Sequence, residues 1–152
     1  MDSINKPTIR DIAAPDAPAW RRLWADYLAF YKTSVPAAVT DATWARMLDP
    51  ASSLFGRAAT RDGAMIGFAI ALVHEGTWTA APVCYLEDLY VDPAARGGGV
   101  GKALLQDLVD SARAHGWSRL YWHTAESNAT ARGLYDQFCL ADDHVRYRMK
   151  LD

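Results

Sequence analysis

The chain has 152 residues, a length that suits one domain able to bury about two-thirds of its extended-chain surface. Its hydrophobic and charged fractions, 51% and 22%, are those of an ordinary globular protein and argue against a disordered chain. A formal net charge of −2 gives no broad basic field for nucleic acid, and no run approaches the roughly 18 apolar residues of a membrane span.

The first half of the chain predicts a strand, two helices and a hairpin. A short strand is expected over residues 7–12, followed by a helix with Asp16 as N-cap and an inward aromatic stripe. A second short helix follows Thr40 and stops at Asp49-Pro50. The segment from residue 54 to 75 predicts two strands joined at Asp62-Gly63, a dipeptide typical of hairpin turns.

The second half alternates strands and helices. "VCYLEDLYV" and "RLYWHT" predict strands, and the apolar spacing from Val100 predicts a helix that ends at His115-Gly116. "NATARGLYDQF" predicts another helix, and the alternating "HVRYRMKL" predicts a last strand. Together these elements indicate a mixed α/β sheet covered by helices.

Four glycines fall within five residues between a predicted strand and the helix after it. The sequence from Arg96 to Lys102 reads R-G-G-G-V-G-K. A helix N-terminus leaves backbone N–H groups unpaired, and glycines before it let an anion approach those donors. The spacing matches neither the Walker pattern nor G-x-G-x-x-G, which weighs against a nucleotide site. The stretch therefore predicts a phosphate-bearing ligand of another kind.

Two blocks of sequence resemble the GNAT superfamily of N-acetyltransferases. They are "CYLEDLYVDPAARGGGVGKALL", which contains the loop form Arg/Gln-x-x-Gly-x-Gly/Ala, and "WHTAESNATARGLYD". "YLEDLYV" further resembles the spermidine/spermine acetyltransferases and the fungal histone/polyamine enzymes. The resemblance implies one acetyltransferase domain over residues 1–152. It also implies a mixed, mostly antiparallel central sheet with helices on both faces, acetyl-CoA as cofactor and a primary amine as acceptor.

The resemblance also implies which residues hold the cofactor. Backbone groups of one strand would pair with the pantetheine arm as if it were an added strand. The N–H groups from Gly97 to Lys102 would surround the pyrophosphate, with Arg96 entering the loop, and Asn128 would contact the pantetheine or hold the helix start. The full set is Leu89, Tyr90, Val91, Arg96, Gly97, Gly98, Gly99, Val100, Gly101, Lys102, Asn128 and Ala131.

Acyl transfer to an amine requires a base, because an alkylammonium with a pKa near 10.4 is almost fully protonated at neutral pH. Direct attack needs no serine or cysteine nucleophile. Glu87 and Asp88 precede the pantetheine segment and would point to opposite faces of an extended strand. The resemblance favours Glu87 as base, with Asp88 as the alternative or as a cation contact. Each acid has a plainer interpretation as the partner of a basic side chain.

The departing thiolate benefits from a proton donor, and Tyr135 is the candidate. Asn128, Arg132 and Tyr135 share one helix face. In the family a tyrosine at this position lies near the CoA sulfur. The plainer interpretations are a packed aromatic for Tyr135 and an ordinary N-cap for Asn128.

Other residues are candidates for the acceptor side. Tyr27 or Tyr31 could stack on a substrate cation, and His123 could line the acceptor wall, although the aromatic stripe is mainly a core feature. The competing functions are acetylation of a lysine in a protein or peptide, and a non-catalytic acyl-CoA-binding module.

Two cysteines, Cys84 and Cys139, form no C-x-x-C pair, so no zinc site and no disulfide framework is expected. With no apolar leader at the start of the sequence, we expect a cytoplasmic protein with no membrane partner. The sequence leaves the acceptor and the oligomeric state open. Dimers are common among similar enzymes, and the final strand could pair within the chain or across a subunit boundary.

Overall fold

A computed structural model describes residues 6–151, which form a five-stranded sheet and four α-helices. The strands are β1 (Thr8–Asp11), β2 (Leu54–Arg61), β3 (Ala64–His74), β4 (Val83–Val91) and β5 (Arg119–Trp122). The helices are α1 (Ala17–Phe30), α2 (Ala37–Leu48), α3 (Val100–His115) and α4 (Ala129–Tyr135). Two short 3-10 turns, Ala14–Asp16 and Pro93–Ala95, precede α1 and α3.

The sheet has the strand order β1-β2-β3-β4-β5, antiparallel through β4 and parallel between β4 and β5. The predicted hairpin is confirmed, because Asp62 and Gly63 connect β2 to β3 with φ of 52° and 78°. Positive φ at both central residues is the geometry that matches the twist of the flanking strands. The predicted mixed, mostly antiparallel sheet is therefore confirmed.

Helices cover both faces of the sheet, as predicted. On one face α1 and α2 supply Trp20, Leu23 and Trp44 to a cluster around Phe68, and Trp20 and Phe68 are fully buried. On the other face the apolar stripe of α3 packs against small residues of the strands. The aromatic stripe of α1 is thus largely core, and only its C-terminal end reaches the open part of the sheet.

One predicted helix cap and one predicted helix start differ from the structure. Asp16 precedes α1, but its carboxylate accepts hydrogen bonds from Arg10 at 2.7 and 2.8 Å and from the Ala13 amide instead of capping the helix. Helix α2 begins at Ala37, before Thr40, with Pro36 at the N-cap position and no side-chain capping bond. The Thr40 hydroxyl instead accepts a bond from the indole of Trp24.

The predicted last strand is wrong for the single chain. Residues 140–151 carry neither helix nor strand, although "HVRYRMKL" alternates as a strand should. A strand needs a partner, and Tyr147 and Met149 are 94% and 82% exposed, so their side chains do not pack on the sheet, and no described strand pairs with the segment.

The two parallel strands separate beyond their first four pairs, and this separation positions the site. β4 pairs with β5 only through residues 83–86, while its remaining residues keep β3 as their neighbour. The C-terminal half of β4 therefore has a side without a ladder partner in the part of the chain described. That open side faces a gap between β4 and β5.

Candidate active site

A narrow cleft lies where β4 and β5 separate. It encloses about 30 Å³, room for only one or two water-sized groups. Residues from α1, β4, β5, the segment after β5 and α4 line it: Tyr27, Tyr31, Leu86, Glu87, Leu89, Trp122, His123, Thr124 and Tyr135. Six of the predicted site residues thus come together, from stretches more than a hundred residues apart in sequence.

A β-bulge in β4 separates the two candidate carboxylates. Ile70 of β3 lies opposite Asp88 and Ala71 lies opposite Leu86, which leaves Glu87 as the extra residue. Adjacent residues of a regular strand alternate faces, but the bulge breaks that alternation. Glu87 is exposed and lines the cleft, whereas Asp88 does not line it. The expectation that one acid reaches the cleft agrees with the structure, but the bulge is the reason.

Asp88 is held beneath the side chain of Tyr27. The Tyr27 hydroxyl donates a hydrogen bond of 2.7 Å to Oδ1 of Asp88. Burial raises the pKa of the Asp88 carboxyl from 3.8 to about 6; the bond from Tyr27 opposes this rise and the charge of Glu87 adds to it. Burial and the neighbouring Asp88 carboxylate raise the pKa of the Tyr27 phenol. The two acids therefore occupy different electrostatic environments.

Tyr135 stands at the end of α4 and points into the cleft. Its ring contacts Trp122 of β5 edge to face, with 5.5 Å between centroids. Burial, and then the neighbouring Tyr31, raise the pKa of its phenol, so the hydroxyl stays protonated at neutral pH. Glu87 and Tyr135 thus line the same cleft, one on β4 and the other at the end of α4.

Aromatic side chains form the outer wall. Tyr31 is 52% exposed and packs edge to face on Tyr27 at 5.1 Å. His123 lies beside the cleft, and its Nδ1 is 3.2 Å from the hydroxyl of Tyr85. Tyr85 in turn stacks on Tyr121 at 4.9 Å. Sequence reasoning missed Tyr85, Trp122 and Thr124, because only the parallel register of β4 and β5 brings them to this edge.

The glycine loop joins β4 to α3 in a conformation that other residues rarely adopt. Gly97 and Gly99 have φ of 86° and 76°, and nothing lies within 4 Å of where a Cβ would stand on either. The first turn of α3 presents backbone N–H groups without helical acceptors to this side. Open space, exposed amides and the helix dipole fit a phosphate-bearing group.

Two further contacts shape the loop. An ideal Cβ on Gly98 would lie 3.0 Å from Nη2 of Arg61, so the guanidinium of Arg61 rests against the loop. Arg61 ends β2, far away in sequence, and no local pattern indicated it. A Cβ on Gly101 would lie 3.2 Å from Leu134, which places the start of α3 against α4.

The side chain of Arg96 lies outside the loop in this structure. Its Nε donates a bond of 3.1 Å to the carbonyl oxygen of Val91, and its guanidinium lies 5.8 and 5.5 Å from the ring centroids of Phe30 and Tyr90. These contacts fasten the loop to the end of α1. They differ from the expectation that Arg96 enters the loop.

Asn128 caps α4. Its side-chain oxygen accepts a bond of 3.2 Å from the backbone N–H of Ala131, so both residues are engaged in starting the helix. This is the plainer of the two roles expected for Asn128. Because the cap fixes the first turn of α4, it also fixes the direction in which Tyr135 leaves the other end.

In residues 6–151, no group of three or more His, Cys, Asp or Glu side chains is arranged to hold a metal ion. Over the same range, no helix combines the length and the apolar character needed to cross a membrane.

Comparison with known proteins identifies the family. Residues 17–139 match the family described as "Acetyltransferase (GNAT) family". The chain is 37% identical over 142 residues to D-amino-acid N-acetyltransferase HPA3 of Saccharomyces cerevisiae, covering 92% of this chain and 88% of that protein.

Two solved structures share the fold. Ribosomal-protein-alanine N-acetyltransferase from Brucella melitensis biovar Abortus 2308 superposes with a TM-score of 0.80 at 25% identity, over 95% of this chain and 99% of that one. AAC(6′)-Iy, solved with the bisubstrate analogue CoA-S-monomethyl-acetylneamine, gives a TM-score of 0.79 at 23% identity, with the same coverage of both chains.

The chain belongs to the acetyltransferase (GNAT) family. Acyl transfer with acetyl-CoA as the donor is the activity of this family, and the positive-φ glycines and open edge of β4 fit such a cofactor. The narrower expectation of a polyamine- and histone-acetylating subgroup stays a prediction.

Proposed function

We propose that the chain is a single N-acetyltransferase domain that transfers an acetyl group to the primary amine of a small molecule or polyamine. One observation carries the proposal: Glu87 lies in a cleft walled by Tyr27, Tyr31 and Tyr135. No lysine or arginine is among the described residues that line it. An acid framed by aromatic rings suits a cationic amine, because it supplies charge and cation–π contact together.

Glu87 acts as the base. A primary ammonium cannot attack until it loses a proton, and Glu87 is the carboxylate that reaches the cleft. The bulge exposes its carboxylate, so the proton can be received directly or through one water and passed on to solvent. Asp88, half-buried and hydrogen-bonded to Tyr27, would add to the negative character of the site from behind.

Tyr135 acts as the acid. Its hydroxyl is protonated and lies in the same cleft as Glu87, where it can donate a proton to the sulfur of the departing CoA thiolate, which leaves as the free thiol. The edge-to-face contact with Trp122 holds the ring in place. Proton removal and proton donation therefore come from opposite walls, β4 and α4.

Acetyl-CoA, when bound, supplies the acyl group as a reactive thioester. The backbone of Leu89, Tyr90 and Val91 has no β5 partner and would pair with its pantetheine arm. The amides from Gly97 through Lys102 would hold the pyrophosphate, with Arg61 adding positive charge behind Gly98. Arg96 would fasten the loop, and Asn128 and Ala131 would set α4 against the cofactor.

The proposed acceptor has no carboxylate next to its amine. Glu87 and Asp88 together would repel such a group, and the lining offers only His123 as a partially cationic contact. The similarity to a D-amino-acid N-acetyltransferase and to AAC(6′)-Iy supports an amine acceptor in general. Comparing an amine with its carboxylated analogue, such as cadaverine with D-lysine, distinguishes a simple amine acceptor from an amino-acid acceptor.

The test is release of CoA from acetyl-CoA in a panel of spermidine, cadaverine, D-lysine, an aminoglycoside and a histone-tail peptide. Tyr135→Phe is expected to lower kcat about 100-fold with little change in the KM for acetyl-CoA. Tyr121→Phe is the matched control, because Tyr121 lies on β5 but does not line the cleft. Faster turnover of D-lysine than of cadaverine would contradict the acceptor class, and an unchanged kcat in Tyr135→Phe would remove Tyr135 from the mechanism.

A cytoplasmic location stays a prediction. It is supported by two free cysteines, Cys84 buried and Cys139 exposed, as expected of a reducing compartment.

A further inference from the structure

The side chain of Arg96 connects the glycine loop to the end of α1. Its Nε donates a bond of 3.1 Å to the carbonyl oxygen of Val91, so the side chain folds back towards β4. Its guanidinium carbon then lies 5.8 Å from the ring centroid of Phe30 and 5.5 Å from that of Tyr90. Both distances are within the range of cation–π attraction. The loop is therefore fastened to two aromatic rings, one on α1 and one on β4.

Four aromatic rings continue from Arg96 to the cleft, and we call them the aromatic bridge: Phe30, Tyr31, Tyr27 and Tyr90. Phe30 meets Tyr31 edge to face at 5.2 Å, and Tyr31 meets Tyr27 in the same way at 5.1 Å. Tyr27 contacts Tyr90 at 5.6 Å, which closes a circle of contacts on Arg96. Tyr27 and Tyr31 line the cleft, whereas Phe30 and Tyr90 do not. The aromatic bridge thus joins the loop to the wall of the proposed amine site.

We propose that Arg96 and Phe30 are positioning residues that couple the two halves of the site, so that a phosphate-bearing group in the glycine loop favours amine binding in the cleft. This coupling rests on the proposed function, because it takes the cleft as the site of the amine. Gly97 and Gly99 have nothing within 4 Å of where a Cβ would stand, so no side-chain packing holds the loop there. A phosphate bound to the loop amides would restrict the backbone from which Arg96 extends.

The exposed end of the aromatic bridge is the part that a fixed loop would order. Tyr31 is 52% exposed and Phe30 is 57% exposed, so neither ring is held by the core as Tyr90 is. Holding such side chains in one place costs conformational entropy when a ligand binds against them. A first ligand that has already ordered them lowers this cost for the second ligand. The effect is reciprocal, so the amine should tighten CoA binding by the same factor.

A second contact between α1 and the connection from β4 to α3 supplies a matched control. Arg22 of α1 pairs with Asp92 at 3.5 Å, and neither residue lines the cleft. Arg22→Gln therefore removes a contact across the same interface without interrupting the route from Arg96 to Tyr31. A general loosening of α1 would appear in this variant as well, whereas a loss of coupling would not.

The first experiment follows amide hydrogen exchange with CoA alone, and so needs no acceptor. In the parent protein, CoA is expected to slow exchange in residues 27–33 by about 5-fold or more, the lower end of ordinary coupling between sites. Phe30→Ala should still bind CoA but show no slowing in this segment, and Arg22→Gln should behave as the parent does. Unchanged or faster exchange in the parent, or equal slowing in Phe30→Ala, would overturn the proposal.

The second experiment measures the Kd of CoA by calorimetry, with and without saturating cadaverine or spermidine. The amine is expected to lower the Kd about 5-fold or more in the parent and in Arg22→Gln. The ratio of the two Kd values should approach one in Phe30→Ala and in Arg96→Gln. The double variant should lose no more than either single variant, because both changes interrupt the same link. A ratio in Phe30→Ala equal to that of the parent would contradict the coupling.

The two experiments also separate this proposal from the proposed function. If no amine of the panel is acetylated, the acceptor class is wrong, but exchange with CoA alone still shows whether the loop orders the end of α1. If an amine is acetylated and Phe30→Ala keeps the KM of the parent for that amine, the function stands and the coupling fails. Phe30→Ala is expected instead to raise the KM for the amine several-fold, with the KM for acetyl-CoA changed less.

Discussion

Replacing Asp88 by asparagine is expected to stabilise the protein. The carboxyl is half-buried beside Tyr27, and its pKa of about 6, against an ordinary 3.8, means that the folded state disfavours its charged form. That difference corresponds to about 3 kcal/mol between the protonated and ionised forms. Asparagine keeps the shape and an oxygen that accepts from Tyr27, but it never ionises. The variant should therefore lack the cost of a buried charge.

The direction of the Asp88 pKa shift determines how the stability of the protein depends on pH. An acid whose pKa is raised by folding leaves stability intact below its unfolded pKa of 3.8 and lowers it as the pH rises to about 6. Above that pH, the free energy of unfolding of Asp88→Asn should exceed that of the parent protein by about 3 kcal/mol, or roughly 6–12 °C in Tm. The difference should disappear towards about pH 4. Urea unfolding followed by tryptophan fluorescence measures it, with the exposed Asp143→Asn as control. A gap that is independent of pH would refute the reasoning.

Three other changes test the site. Glu87→Gln should lower kcat/KM about 100-fold at neutral pH, with the loss shrinking towards about pH 10 as the amine deprotonates by itself; a constant loss would contradict a base role. Gly99→Ala should raise the KM for acetyl-CoA several-fold, because a side chain at φ of 76° costs about 1–2 kcal/mol. Gly133→Ala is the control, since the space around Gly133 is open. It should leave the KM unchanged and stabilise α4 by up to about 1 kcal/mol. Tyr27→Phe removes the hydroxyl that donates to Asp88. Urea unfolding should show a loss of about 1–3 kcal/mol in the free energy of unfolding at about pH 8, and a smaller loss at about pH 4, where the Asp88 carboxyl is protonated. Equal losses at the two pH values would show that the hydrogen bond has no electrostatic role.

The sequence predicted the parts of the fold that depend on local chemistry. Asp62-Gly63 predicts the hairpin because few other dipeptides tolerate a positive φ at both residues. Gly116 predicts the end of α3 because glycine readily adopts the positive φ of a helix C-cap. The apolar spacing that marks each helix could also be recognised in the sequence. The last strand failed because strand formation depends on a partner, and periodicity records only the alternation. Residues 144–151 have that alternation, but no strand in the described part of the chain pairs with them.

The site was predictable in its residue types and less so in its geometry. The glycine pattern was predicted from the residues themselves, and Tyr135 of α4 from the resemblance to the acetyltransferase family. Arg61 could not, because it reaches Gly98 from the far end of a hairpin. The orientation of the Arg96 side chain could not be predicted either, because its contacts with Phe30 and Tyr90 depend on how α1 crosses the sheet. Long-range contacts of this kind leave no local signature.

The bulge in β4 explains how two adjacent acids can serve different roles. In a regular strand, Glu87 and Asp88 would lie on opposite faces, one of them within an apolar core. The extra residue turns Asp88 under Tyr27, where it is hydrogen-bonded, and leaves Glu87 at the exposed edge of the cleft. The bulge falls where β4 stops pairing with β5, so the same irregularity that exposes Glu87 begins the open edge proposed above to pair with the pantetheine arm. Removing the bulge by deleting one residue would therefore be expected to disturb amine proton transfer and cofactor binding together, whereas Glu87→Gln should affect only the first.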